Sequence, residues 1–354
     1  MAGILERYRP FYPFDDTFPI VSLEEGNTPL VPAPRVAAQL KVPGVSVYLK
    51  YEGLNPTGSF KDRGMTYAVS QAKAQNAQYL LCASTGNTSA SAAAYGARAG
   101  IRTLVIIPEG KIALGKLSQA LLYGATIVEI TGNFDQALEI VRAVGEASQT
   151  VAVVNSINPY RLEGQKTGAF EVCDVLGRAP DYHVMPVGNA GNITAYWRGY
   201  KAYQQAGRIQ QLPVMLGYQA VGAAPLVIGR PVPKPETVAT AIRIGKPASW
   251  QGAEAARDES GGRIDYVADC EILSAYHFLA RYEGIFCEPA SAASVAGLFK
   301  AASQGAIAPN STIVCVLTGN GLKDPDNAIA VGSQQASRET LPADLDTIRS
   351  FLGV

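Results

Sequence analysis

The run Asn55-Pro56-Thr57-Gly58-Ser59-Phe60-Lys61-Asp62-Arg63-Gly64 places one lysine just after a turn and at the start of a helix. Gly58 lets the backbone bend sharply, Ser59 is a good N-cap, and a helix to about Ala77 is predicted. Lys61 then meets the positive end of a helix dipole with Arg63 close by in sequence, so its ammonium form is disfavoured. A neutral amine condenses with a carbonyl to give a Schiff base. A lone lysine on a helix is ordinarily a solvated surface group, so this reading rests on the flanking residues.

Four other stretches could hold anions or orient a ligand. Pro186-Val187-Gly188-Asn189-Ala190-Gly191-Asn192 follows a strand and opens a helix, so backbone N–H groups and the helix dipole can converge on a phosphate. Its spacing is neither the dinucleotide G-x-G-x-x-G nor a P-loop, and alone it reads as a tight connection. Ser84-Thr85-Gly86-Asn87-Thr88 offers hydroxyls, an amide and free helix N–H groups; this suits a carboxylate, with simple capping as the alternative. Leu317-Thr318-Gly319-Asn320-Gly321 ends an apolar strand and by itself reads as a plain turn. Asn155-Ser156-Ile157-Asn158-Pro159-Tyr160-Arg161 groups Asn155, Ser156 and Arg161 in one turn region, donors that suit a phosphate dianion as well as an ordinary loop. Lys116 in Gly115-Lys116-Leu117 is a weaker candidate for the same anion.

The elements that must position these residues alternate. Strand-like runs fall at Tyr79-Ala83, Thr103-Ile107, Thr126-Ile130 and Val151-Val154, separated by helix-like runs at Asn87-Arg98, Ala113-Tyr123 and Phe134-Ala147. This βαβ series predicts a parallel sheet with helices on its faces. A second α/β series begins near Tyr160 with a helix to about Leu176. It continues through strands Tyr182-Val187, Val214-Gln219, Arg263-Val267 and Thr312-Leu317 and helices Ile193-Gln205, Glu271-Tyr282 and Ala292-Ala302. Strand-like Val45-Leu49 precedes both, and Gly229-Pro235 reads as a loop. Two such series suggest two sheets flanking a cleft.

A chain of 354 residues with 47% hydrophobic and 17% charged residues can fill two sizeable cores. Thirty basic residues balance thirty acidic ones, so no net charge favours nucleic acid or an anionic membrane, and an anionic substrate must be held by local groups. Met1 to Phe14 lacks the apolar core of a signal peptide, and no apolar run approaches the ~18 residues of a membrane span. The odd count of five cysteines, none in CxxC spacing, predicts free thiols in a reducing cytosol. Two histidines, His183 and His277, argue against a histidine metal site or a Ser-His-Asp triad, and His183 reads as structural.

Ser59-Phe60-Lys61-Asp62-Arg63-Gly64 resembles the lysine motif of the pyridoxal-phosphate (PLP) enzymes of fold type II, the tryptophan-synthase-β-like class. That resemblance implies two three-layer α/β domains with mostly parallel sheets and PLP in the cleft between them. Residues 1–60 and 153–354 would form the large domain and residues 61–152 the small one. It implies that Lys61 carries PLP and serves as the catalytic base, and that Gly188, Asn189, Ala190, Gly191 and Asn192 hold its phosphate. Asn87 would meet the ring hydroxyl, Thr318 the ring nitrogen, and Ser84 and Thr85 the amino-acid carboxylate. A neutral hydroxyl at the ring nitrogen supports a carbanion less strongly than a carboxylate would.

Glu25-Gly26-Asn27-Thr28-Pro29-Leu30, Ala241-Ile242-Arg243-Ile244-Gly245 and Glu288-Pro289-Ala290-Ser291-Ala292 are similar to further family segments, so the likeness runs from Glu25 to Gly321. The lysine motif together with the Asn-Ala-Gly-Asn loop looks most like the short bacterial threonine synthases. These are homodimeric carbon–oxygen lyases that turn O-phosphohomoserine and water into threonine and phosphate in the last step of threonine biosynthesis. Thr88, Asn155, Ser156 and Arg161 would then hold the substrate phosphate. The competing readings are a threonine or serine dehydratase on the same fold, a cofactor-binding protein without catalysis, and a dinucleotide enzyme, the last disfavoured by its glycine spacing.

Overall fold

The computed structural model describes residues 2–110, 114–132, 134–333 and 339–354, without the side chains of 114–116, 134 and 135. Lys116 as an anion ligand therefore lies outside the described residues. Two sheets organise the chain. The larger has strands β1 (Leu30–Pro32), β2 (Ser46–Tyr51), β7 (Tyr182–Pro186), β8 (Val214–Ala220), β9 (Arg263–Val267) and β10 (Thr312–Leu317). Their order is β1-β2-β10-β7-β8-β9, with β1 antiparallel to β2 and every other pair parallel. The smaller is all parallel in the order β5-β4-β3-β6, from β3 (Tyr79–Ala83), β4 (Arg102–Pro108), β5 (Thr126–Ile130) and β6 (Val151–Val153). The chain thus leaves the larger sheet after β2, builds the smaller sheet, and returns through β7.

Parallel strands covered on both faces read as continuous apolar runs, and these do: β10 is Thr-Ile-Val-Cys-Val-Leu with all but its first residue buried. The Lys61–Ala74 helix buries Met65, Ala68, Val69 and Ala72 in the core of the smaller sheet, with Leu80, Cys82, Tyr95 and Val105. On its other side it crosses the Pro159–Gln165 helix so closely that a Cβ on Gly64 would lie 2.8 Å from the Arg161 carbonyl oxygen. A Cβ on Gly164 would lie 2.0 Å from the Arg63 carbonyl oxygen, so glycine on both helices sets the contact that brings Arg161 beside the lysine turn.

Several expected elements differ in extent. The lysine helix stops at Ala74 rather than Ala77, because Asn76 takes a left-handed conformation at φ +56°. The single helix expected from Tyr160 to Leu176 is two, Pro159–Gln165 and Thr167–Leu176. The helix expected to Tyr282 runs Asp269–Phe278 and passes into a π-turn, Leu279–Glu283, closed by Gly284 at φ +68°. Strand β1 and the helices Pro34–Leu40 and Trp250–Glu259 are additional. Cys82, Cys173, Cys287 and Cys315 are buried free thiols and Cys270 is exposed. Among the described residues no helix is long and apolar enough to cross a membrane.

Candidate active site

The lysine turn is fastened to the end of β10. Phe60 N–H donates to the Thr318 carbonyl at 3.0 Å, Asn320 N–H donates to the Gly58 carbonyl at 2.9 Å, and Ser59 forms an antiparallel bridge with Gly319. Gly58 makes the turn at φ +85°. The expected Ser59 cap gives way to Phe60 at the N-cap position, with Ser59 Oγ only 3.4 Å from the Lys61 N–H. Asp62 anchors the turn to the smaller sheet's helices, accepting from Thr57 N–H at 2.7 Å, Thr57 Oγ1 at 2.6 Å and Ser91 Oγ at 2.6 Å.

Arg63 anchors it to the larger sheet. Its guanidinium meets Glu52 at 2.6 and 2.8 Å and Glu171 at 2.8 and 2.6 Å, and Lys50 joins the same Glu171 at 2.7 Å. All four side chains are buried, and two cations match two anions. The charge expected from Arg63 on Lys61 is therefore neutralised locally. Burial first, and then the nearby Arg161 charge, bring the Lys61 ammonium down from 10.5 to about 7, with Glu288 opposing them. The Lys61 Nζ lies 4.2 Å from the centroid of the Phe60 ring, with no carboxylate in hydrogen-bond contact among the described residues.

Asn87, the first residue of the Asn87–Ala99 helix, and Thr318, just past β10, are brought together by a residue for which no role was expected. Asn87 Nδ2 donates to Glu288 Oε2 at 3.0 Å, and Thr318 Oγ1 donates to Glu288 Oε1 at 3.0 Å. Glu288 stands before Pro289 at the start of the Pro289–Ser303 helix, which in sequence reads only as a helix start. Asp62 and Ser291 were likewise missed. All three lie in segments similar to the family, but nothing in those segments assigned them a role.

The 188–192 loop opens the Gly191–Gln205 helix with Ala190 in a left-handed conformation at φ +63°. The N–H groups of the helix's first turn have no intrahelical partners. Asn192 is buried, and both its amide atoms lack a partner among the described residues. Asn189 reaches Ser156 Oγ with its Nδ2 and accepts from Ala248 N–H at 2.6 Å, so the 155–161 turn abuts this loop.

Arg161 is buried; its Nη1 donates to the Val154 carbonyl at 3.1 Å, while Nε and Nη2 have no partner among the described residues. Burial lowers its pKa to about 10. Asn155 braces the end of β3: its amide accepts from the Ala83 N–H and donates one N–H to the Ala83 carbonyl at 3.0 Å each. Ser84, next in the chain, accepts from Gly86 N–H at 3.2 Å, and Thr85 and Thr88 share its turn and the first helical residues. His183 lies buried in β7, hydrogen-bonded to Tyr200 at 2.9 Å.

Residues 21–319 match the family described as "Pyridoxal-phosphate dependent enzyme". The chain is 57% identical over 351 residues to a threonine synthase of Synechocystis, covering 99% of this chain and 91% of that protein. It is 57% identical over 352 residues to one of Mycobacterium tuberculosis, covering 99% and 96%. Maize serine racemase shares the fold at TM-score 0.74 and 18% identity, covering 94% of this chain and 98% of that one. Threonine deaminase isoform 2 of Solanum lycopersicum does so at TM-score 0.74 and 20% identity, covering 88% and 89%. The residues present suit the cofactor: a half-buried amine shifted toward neutrality can take its aldehyde, and a helix N-terminus with the orphaned Asn192 amide can take its phosphate. By that match over most of its length, and by relatives identical at more than half their aligned positions, the chain belongs to the pyridoxal-phosphate dependent enzymes.

Proposed function

We propose that this enzyme is a threonine synthase that converts O-phosphohomoserine and water into threonine and phosphate. Arg161 carries the reading. A buried guanidinium with Nε and Nη2 unpartnered, close enough to lower the Lys61 pKa, is costly unless an anion completes it. A dehydratase acting on threonine or serine brings only a carboxylate, whereas phosphohomoserine brings a carboxylate and a phosphate. Full-length similarity to threonine synthases supports the same choice.

PLP supplies the electron sink. In this reading Lys61 would hold the cofactor, and its amine would move protons at the substrate α and β carbons, work that needs a pKa near neutrality. The 188–192 loop would hold the cofactor phosphate, Asn87 the ring hydroxyl and Thr318 the ring nitrogen. Ser84 and Thr85 take the substrate carboxylate. Arg161, Ser156 and Thr88 hold the substrate phosphate until it leaves, and Asn155 supports the Ser84 turn. Water then adds at the β carbon, and protons are returned at the γ carbon, which becomes the methyl group of threonine, and at the α carbon. We read residues 61–152 as a small domain that closes on the remainder and excludes other water. The enzyme is further read as a cytosolic homodimer, in keeping with its free cysteines.

Arg161→Ala is expected to raise KM for O-phosphohomoserine by about 10- to 100-fold, the loss of charge-assisted hydrogen bonds, with PLP still bound. Steady-state kinetics with an absorbance check of cofactor loading tests this. An unchanged KM would remove Arg161 from the substrate site.

A further inference from the structure

Glu288 is a buried carboxylate that the steps above do not use. It lies against Thr318 closely enough that a Cβ on Gly319 would fall 2.6 Å from its carboxyl carbon, so glycine there admits the contact. Its own N–H donates to the Gly319 carbonyl at 3.0 Å. Ser291, within the first turn of the following helix, accepts from Gly319 N–H at 3.0 Å and stands 3.0 Å from Thr318 Oγ1. The Thr318 hydroxyl has a single proton. Donated to Glu288, that proton cannot point elsewhere, and the oxygen is left with a lone pair to offer. Asn87 commits one amide N–H to the same carboxylate, which fixes the plane of its side chain. Burial pushes the Glu288 carboxyl up, while the Asn87 and Thr318 hydrogen bonds and the Lys323 and Lys61 charges pull it down.

We propose that Glu288 is a positioning residue for the cofactor ring: by taking the Thr318 proton it makes Thr318 an acceptor toward the ring nitrogen, and by the same carboxylate it aims Asn87 at the ring hydroxyl. This rests on the placement of the ring between Asn87 and Thr318. An acceptor at that position favours a protonated ring nitrogen and so strengthens electron withdrawal by the ring. One carboxylate would thereby set two contacts that arise from different sheets.

The test is the absorption spectrum and PLP affinity of the purified holoenzyme, with folding followed by thermal melts. Glu288→Gln keeps an acceptor for Asn87 but turns an N–H toward Thr318. It is expected to shift the bound-cofactor absorbance maximum and weaken PLP binding by roughly tenfold, as for the loss of one hydrogen bond to a charged group. Thr318→Ala should shift the maximum the same way, and the double variant should shift it no further. If Glu288→Gln does not fold, Glu288→Asp, one methylene shorter with the charge kept, should give a smaller shift in the same direction. An unaltered spectrum and affinity in the folded glutamate variant, while Thr318→Ala and Asn87→Ala change both, would overturn the role of Glu288 alone. No change in any of the three would overturn the ring placement as well.

Discussion

Two pairs of cations, buried Lys50 with buried Arg63 and half-buried Lys61 with buried Arg161, are treated in opposite ways. Lys50 and Arg63 are fully matched: Glu52 and Glu171 supply the charge, while Thr28 and Thr167 take further N–H groups. Lys61 and Arg161 lie in the adjoining space with no carboxylate in direct contact among the described residues, and each is shifted toward its neutral form by burial. Burying a charge is expensive unless it is paired. The matched pair therefore reads as scaffold and the unmatched pair as a place that anionic ligands complete. Residues two apart in sequence, Lys61 and Arg63, fall on opposite sides of this divide.

The comparison breaks most sharply at Lys61. Lys61→Ala should lower turnover by about 10³-fold or more, since both cofactor attachment and proton transfer are lost, while leaving the fold intact. Substantial residual turnover, measured with saturating PLP, would sink the assignment. Glu171→Gln should do the reverse. It leaves Lys50 and Arg63 short of charge and should cost about 3–5 kcal/mol of stability in denaturant unfolding, with a reduced yield of enzyme rather than an altered mechanism. Arg63 and Lys50 hold the Glu171 carboxyl well below its ordinary value, so its contribution is present above about pH 4.5 and lost as pH falls below it.

A third effect sharpens the contrast by its sign. The Lys61 pKa is depressed to about 7 from 10.5, so the folded cofactor-free chain binds fewer protons there than the unfolded chain between those values. Lys61→Met should stabilise the cofactor-free protein below pH 7, and the gain should shrink as pH rises toward 10.5. Melting temperatures across that range test it; a gain that does not change with pH would mean that Lys61 titrates normally.

Much of this molecule was legible in its sequence. Strands β3, β5, β9 and β10 and the Phe134–Ala147 helix begin and end where their apolar patterns do, because uninterrupted apolar runs bounded by turns leave little choice. Strand β1 was not, since three residues ending in proline carry no periodicity. Within the site, the glycine-bearing turns could be read because each joins a strand to a helix start. The electrostatics could not. Arg63 is near Lys61 in sequence but neutralised by Glu171, while Arg161 reaches it through the Gly64 and Gly164 contact. Asn155 gave no local sign that its amide would pair with both backbone groups of Ala83. Glu288 gave no local sign of meeting Asn87 and Thr318, because that meeting exists only once the two sheets face each other.

The most direct measurement is the product balance from O-phosphohomoserine with the PLP-loaded enzyme. The account predicts threonine and inorganic phosphate in equal amounts, with little turnover of L-threonine itself. Turnover of L-threonine without phosphate release from phosphohomoserine would contradict it, and would mean that the anion completing Arg161 is not the substrate's phosphate.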